Sequence, residues 1–142
     1  MVDNAMLAAK MALVRDAVER IRSMLPPTLA AFRADRTARE VIALNLFVAI
    51  QECVAIASHV LTDAGWGVPK TYGESFTMLA EHHVLVSELA VSLRSAAGLR
   101  NLLAHQYGVV DFARLYELAD ARAEDLVGFC SAVATWIENQ LP

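Results

Sequence analysis

An all-α fold follows from three features of this 142-residue chain. Apolar residues recur at three- and four-residue spacing along most of it, prolines and glycines punctuate those runs at separated points, and no stretch keeps the strict alternation of a half-buried strand. The expected architecture is an up-and-down bundle of four long helices plus one short helix, a single domain over residues 1–142. Hydrophobic residues make up 56% of the chain and its mean hydropathy is +0.40, more apolar surface than a small monomer readily hides. A homodimer is therefore expected.

The first helix spans Asn4 to Leu25, with Leu7, Met11, Val14, Val18, Ile21 and Leu25 on one stripe. Asp3 or Asn4 caps its start, and Pro26-Pro27 ends it because proline cannot continue the ladder. Thr28 to Arg33 reads as a connector or a helical turn. Asp35 then caps a second long helix that runs to about Ala64 and stops at Gly65. Its middle, Val41 to Ile50, is apolar nearly all round, as for a helix buried on most sides. The loop Gly65 to Gly73 is the one marked composition shift, with Trp66 and Tyr72 expected to plug the core beneath it. Glu74 to about Glu81 is the short helix, and His82-His83 a break. A further helix starts at Val84 or Ser87 and runs through Leu89, Leu93, Ala96 and Ala97 to a stop at Gly108. Gly98 inside it costs about 1 kcal/mol relative to alanine, which implies close approach by another helix. Asp111 caps the last helix, which carries Phe112, Leu115, Leu118, Leu126, Phe129, Val133 and Ile137 to near Leu141.

Composition narrows the function classes. The net charge of −4 argues against a general nucleic-acid coat, although residues 1–40 hold seven Lys/Arg against five Asp/Glu. Any nucleic-acid contact is therefore local. The N-terminal arginines (Arg15, Arg20, Arg22, Arg33, Arg36, Arg39) read mostly as ordinary surface charge. No uninterrupted apolar run reaches membrane-spanning length; Val41 to Ile50 is closed by Gln51 and Glu52. The N-terminus lacks a secretory signal, and Cys53 and Cys130 read as buried free thiols. The expected location is the cytoplasm. His82-His83 has no cysteine or carboxylate at ligand spacing, so no metal site and no cofactor are expected. His59 reads as a hydrogen-bonded core or interface residue, and Glu74 and Glu81 as a solvated face.

The polar residues with chemistry to offer converge on Arg100-Asn101-Leu102-Leu103-Ala104-His105-Gln106-Tyr107. On a helical wheel Arg100 and Tyr107 share an azimuth, and Asn101 and His105 share a neighbouring one roughly 100–140° round, with Leu102 facing the core. His105 lies in the last turn, where the helix's partial negative charge favours imidazolium. Such a cluster suits phosphodiester cleavage without metal. Imidazole moves the proton of a ribose 2′-hydroxyl or a leaving 5′-oxygen, guanidinium holds the phosphate, and Asn101 orients either. One histidine is thin for acid–base catalysis, and a twofold dimer would bring two to one cleft. By spacing alone, the commoner role of an Arg and a His near a helix end is to satisfy free carbonyls and reach to solvent.

The Arg100-x4-His105-x-Tyr107 pattern resembles the signature of the HepT-like branch of the HEPN ribonucleases. Four more stretches resemble it in the family's order: Glu52-Cys53-x-x-Ile56-Ala57-x-His59, Pro69-x-x-Tyr72-x-Glu74-Ser75-Phe76-x-x-Leu79, Gly98-Leu99 leading into the motif, and Val110-Asp111. The resemblance covers roughly residues 35–135. Ala55 departs from it, standing where an acidic residue is expected, so no second carboxylate behind the motif is implied. The resemblance implies an all-α homodimer, a metal-independent RNA endonuclease, and the toxin of a pair with a small nucleotidyltransferase antitoxin. In such pairs the partner silences the toxin by adenylylating the motif tyrosine, here Tyr107; nucleotide there would set bulk and negative charge where the RNA phosphate binds. Two rival readings stand beside this one. A non-catalytic substrate-binding or regulatory subunit of a nucleotidyltransferase would have no need of the imidazole, and a structural dimerisation bundle would tolerate its loss.

Overall fold

The computed structural model describes residues 3–141, and among these every regular element is helical. Met1 and Val2, the first residues of the N-terminus read for a secretory signal, lie outside the described residues, as does Pro142. The helices are α1 Asn4–Met24, α2 Leu29–Ala34, α3 Arg36–Ala64, α4 Tyr72–Glu81, α5 Ser87–His105, α6 Phe112–Glu117 and α7 Ala123–Gln140. A 3-10 turn, Tyr107–Val109, separates α5 from α6, and a π turn, Leu118–Arg122, joins α6 to α7. The long helices α1, α3, α5 and α6–α7 form the expected bundle, with α4 as the expected short helix.

Side-chain caps set the helix starts, because the first N–H groups have no partner within the helix. Asp3 accepts from the Met6 N–H at 3.0 Å, Thr28 from Ala31 at 3.1 Å, Asp35 from Ala38 at 3.0 Å, and Asp111 from Ala113 at 2.9 Å. Thr71 caps α4 at the Glu74 N–H, 3.1 Å away, so the helix begins at Tyr72, two residues before the expected start. Gly65 ends α3 in the left-handed region at φ 72°, where it closes free carbonyls without a side-chain clash. His83 takes the same role after α4 with φ 62°, which accounts for the break there. The segment after Pro26-Pro27 is a true helix, α2. Its Phe32 is fully buried against Phe112 and Tyr116, whose rings lie 6.5 and 5.3 Å away.

The last helix is not continuous. In the π turn one winding holds an extra residue, so adjacent Leu118 and Ala119 are both buried. Sequence periodicity averages over such a local rewinding. Phe76 of α4 and Phe129 of α7 meet edge to face at 5.4 Å with no exposed surface, tying the short helix to the last one. Gly98 was expected to admit another helix, but a Cβ there would meet only the guanidinium end of Arg114 at 3.4 Å. Within one chain, then, nothing packs closely on Gly98. Cys53 and Cys130 are buried and free, as expected. Burial pushes the Cys53 thiol well above its usual range.

Of the expected plugs, Trp66 serves: half-buried, it stacks on His82 at 4.0 Å and meets Trp136 edge-on at 5.4 Å. Tyr72 does not, being 43% exposed. Helix α3 is long and apolar enough to cross a bilayer by length and composition, yet half of its most apolar window is buried in the bundle. The rest is a face on which Leu44 is 62% exposed, with Val41, Phe47 and Val48 half-exposed near it. That face contradicts an even burial of α3 on most sides and leaves an apolar surface without cover.

Candidate active site

Arg100 reaches from α5 to the middle of α3. Its Nε donates to Gln51 Oε1 at 2.8 Å and its Nη1 to Asn101 Oδ1 at 3.1 Å. Its Cζ lies 4.7 Å from the ring centre of Tyr72 and 5.2 Å from that of Phe47. Stacking on two rings and bonding two amide oxygens holds a planar cation in one orientation. A guanidinium has five N–H groups, so these two bonds leave three for an anion. Among the described residues no carboxylate pairs with it, so the charge stays available.

Sequence reasoning missed Gln51, Phe47 and Tyr72 as parts of this site. Gln51 had a signal, as the amide that closes the most apolar stretch of the chain. It sits one turn before Ala55 on the same helix, so the side chain behind the motif is an amide from Gln51 and not a carboxylate from position 55. Glu52, its neighbour, pairs instead with Lys10 of α1 at 3.1 Å.

His105 is the last residue of α5 and is exposed. Asn101, one turn earlier on the same azimuth, is exposed as well, in keeping with the wheel. Tyr107 departs from the wheel. The helix ends at Gln106, with ψ 47°, and Tyr107 sits in the 3-10 turn, so it does not continue Arg100's azimuth. The cause is the chain's need to bury Val110 and start α6. Val109 N–H donates to Gln106 O at 3.0 Å and Val110 N–H to Tyr107 O at 3.2 Å, tightening the turn. Tyr107 is 43% exposed and lines a cavity of about 450 Å³ with Glu40, Leu44, Phe47 and Leu103. Glu40, on the wall of that cavity, pairs with Arg36 at 2.8 Å. His59, half-buried, accepts from the Asp3 N–H at 3.4 Å, away from this cluster.

Comparison with known proteins bears on this arrangement at three points. The family model described as ribonuclease HepT-like matches residues 14–133. The mRNA nuclease HepT of Shewanella oneidensis is 25% identical over 130 residues, which cover 92% of this chain and 97% of that protein. Two solved structures share the fold. One, a tri-AMPylated Shewanella oneidensis HEPN toxin in complex with its MNT antitoxin, is 25% identical at a TM-score of 0.84, covering 95% of this chain and 99% of that one. The other, a toxin–antitoxin structure with AMP-PNP, is 24% identical at a TM-score of 0.85, covering 93% and 99%. With a family match over most of the chain, on a helical bundle that holds the motif at one end of α5, this protein belongs to the ribonuclease HepT-like family and is a ribonuclease.

Proposed function

We propose that the chain is a metal-independent RNA endonuclease acting in the cytoplasm as the toxin of a toxin–antitoxin pair, with residues 1–142 working as one domain. The observation that carries this reading is Arg100: a cation clamped between two rings with three N–H groups unspent, on the helix that ends in an exposed His105. The guanidinium binds the scissile phosphate and gains as charge builds on its oxygens in the transition state. His105 takes the 2′-hydroxyl proton, the 2′-oxygen attacks phosphorus, and the bond to the 5′-oxygen breaks, leaving a 2′,3′-cyclic phosphate. Asn101, bonded to Arg100, keeps the guanidinium turned to the phosphate.

The leaving 5′-oxygen needs a proton, and a second copy's His105 supplies it. Uncovered apolar surface on α3 around Leu44, beside exposed Tyr107 and Val109, supports pairing of two copies next to the motif. Silencing follows from Tyr107. Its phenol oxygen attacks the α-phosphorus of a nucleoside triphosphate held by the nucleotidyltransferase antitoxin, pyrophosphate leaves, and the phenolic proton is released. Partial exposure of Tyr107 beside an open cavity supports this, as does the AMPylated state of the similar toxin.

Purified protein should cleave RNA in EDTA, and Arg100→Ala or His105→Ala should abolish cleavage. Unchanged cleavage by His105→Ala would sink the mechanism and favour the regulatory-subunit reading. Leu44→Glu should convert a sedimenting dimer into a monomer with lost cleavage; an active wild-type monomer would refute completion of the site by a second copy. Co-expression with the antitoxin should add adenylate masses that vanish in Tyr107→Phe.

A further inference from the structure

Residues that hold the Arg100 guanidinium line two cavities. Phe47 lines the one that holds Tyr107, and Tyr72 lines the other, a space of about 510 Å³, while the guanidinium lies over both rings. The second cavity falls in the size range of small-molecule sites, about 300–1,000 Å³. Its walls combine an apolar floor at Val54, the half-exposed ring of Tyr72, Ser58 and Asn101 with their polar side chains, and Lys70 on the loop. Among the described residues the Lys70 ammonium has no carboxylate partner; only its backbone N–H is engaged, by Glu74 Oε2 at 2.5 Å.

We infer that this cavity seats the nucleobase of one of the two nucleotides flanking the scissile phosphate, and so sets which RNA sequence is cut. The inference rests on the ribonuclease reading of Arg100. Single-stranded RNA is recognised by stacking its bases on aromatic rings and by hydrogen bonds to their edges, with cations on the phosphates. Tyr72 provides the ring, Asn101 and Ser58 the edge contacts, and Lys70 the charge for a neighbouring phosphate. The phosphate anchor is joined to the cavity through two of its lining residues, since Asn101 accepts from Arg100 and Tyr72 carries it. A peptide segment of the antitoxin would need no such continuity with the guanidinium. The loop Gly65 to Gly73 thereby acquires a use: through Val68, Pro69, Lys70 and Thr71 it builds the outer wall of the pocket.

Ser58 is exposed, so Ser58→Phe tests the cavity without cutting into the core. The readout is a randomised RNA pool cleaved in EDTA, with both fragment ends sequenced. Wild type should show a base preference at one flanking position, and Ser58→Phe should change that preference by about tenfold. The opposite flanking position should stay as in wild type. A wild type without preference, or an identical profile in Ser58→Phe, overturns the inference. A second measurement uses a non-cleavable 2′-O-methyl trinucleotide and the backbone and side-chain amide signals of the protein in NMR. Shifts at Asn101 and around Tyr72 that disappear in Ser58→Phe support the pocket even in a preparation that cuts nothing, where it is the ribonuclease reading that fails. Shifts produced there by the antitoxin and not by the trinucleotide overturn it.

Discussion

The sharpest test of the site's construction is Gln51→Leu. Gln51 touches no substrate in this scheme; it positions Arg100 through one bond of 2.8 Å between Nε and Oε1. A hydrogen bond to a charged group contributes about 1.5–3 kcal/mol. Because Arg100 is only half-buried, water replaces part of that bond, so the lower end, about 1.5 kcal/mol, applies. Tyr72, Phe47 and Asn101 still hold the guanidinium, but its orientation loosens just where transition-state charge must be met. If that energy is expressed only in the transition state, kcat falls about tenfold with little change in KM. The assay is steady-state cleavage of a fluorogenic oligoribonucleotide, with thermal melting run alongside to confirm that the fold persists. Gln51→Glu sharpens the result: a carboxylate at the same place binds the guanidinium and opposes the phosphate, so it should cut activity more deeply than leucine does. A Gln51→Leu enzyme within about twofold of wild type, equally folded, would refute the reasoning that orientation of Arg100 limits the reaction.

Three further outcomes follow from the packing. Gly98→Ala should stabilise the isolated chain by about 0.5–1 kcal/mol, since the new Cβ meets only the movable end of Arg114; a lowered melting temperature would show that something else packs on Gly98. Phe129→Ala should cost about 3–5 kcal/mol in urea unfolding, because it removes a fully buried ring and strands Phe76; a loss below about 1 kcal/mol would contradict that packing. Both thiols should react with Ellman's reagent only on unfolding, as Cys53 and Cys130 are fully buried and burial disfavours the Cys53 thiolate; prompt reaction in the native state would refute it.

The helix starts were legible at Asp3, Asp35 and Asp111 because a cap is a local hydrogen bond between residues two or three apart, and the stop at Gly65 because left-handed backbone is a local cost. The all-α bundle, the buried cysteines and the polar stretch from Arg100 to His105 followed from periodicity and residue type, which act within one helix. Tyr107 escaped the wheel because a wheel assumes that the helix continues, and whether it does depended on burying Val110 and starting α6.

What the sequence by itself determined is therefore the elements and the motif: the order of helices, their caps, and the polar stretch at the end of α5. What only the tertiary structure decided is what surrounds Arg100. Gln51 and Phe47 lie about fifty positions earlier in the chain and Tyr72 nearly thirty, yet they contact the guanidinium together, and Phe47 and Tyr72 each line a cavity. No local propensity encodes that meeting. It arises because α3, α4 and α5 must each bury an apolar face, and packing those faces leaves their polar and aromatic borders in contact at one point.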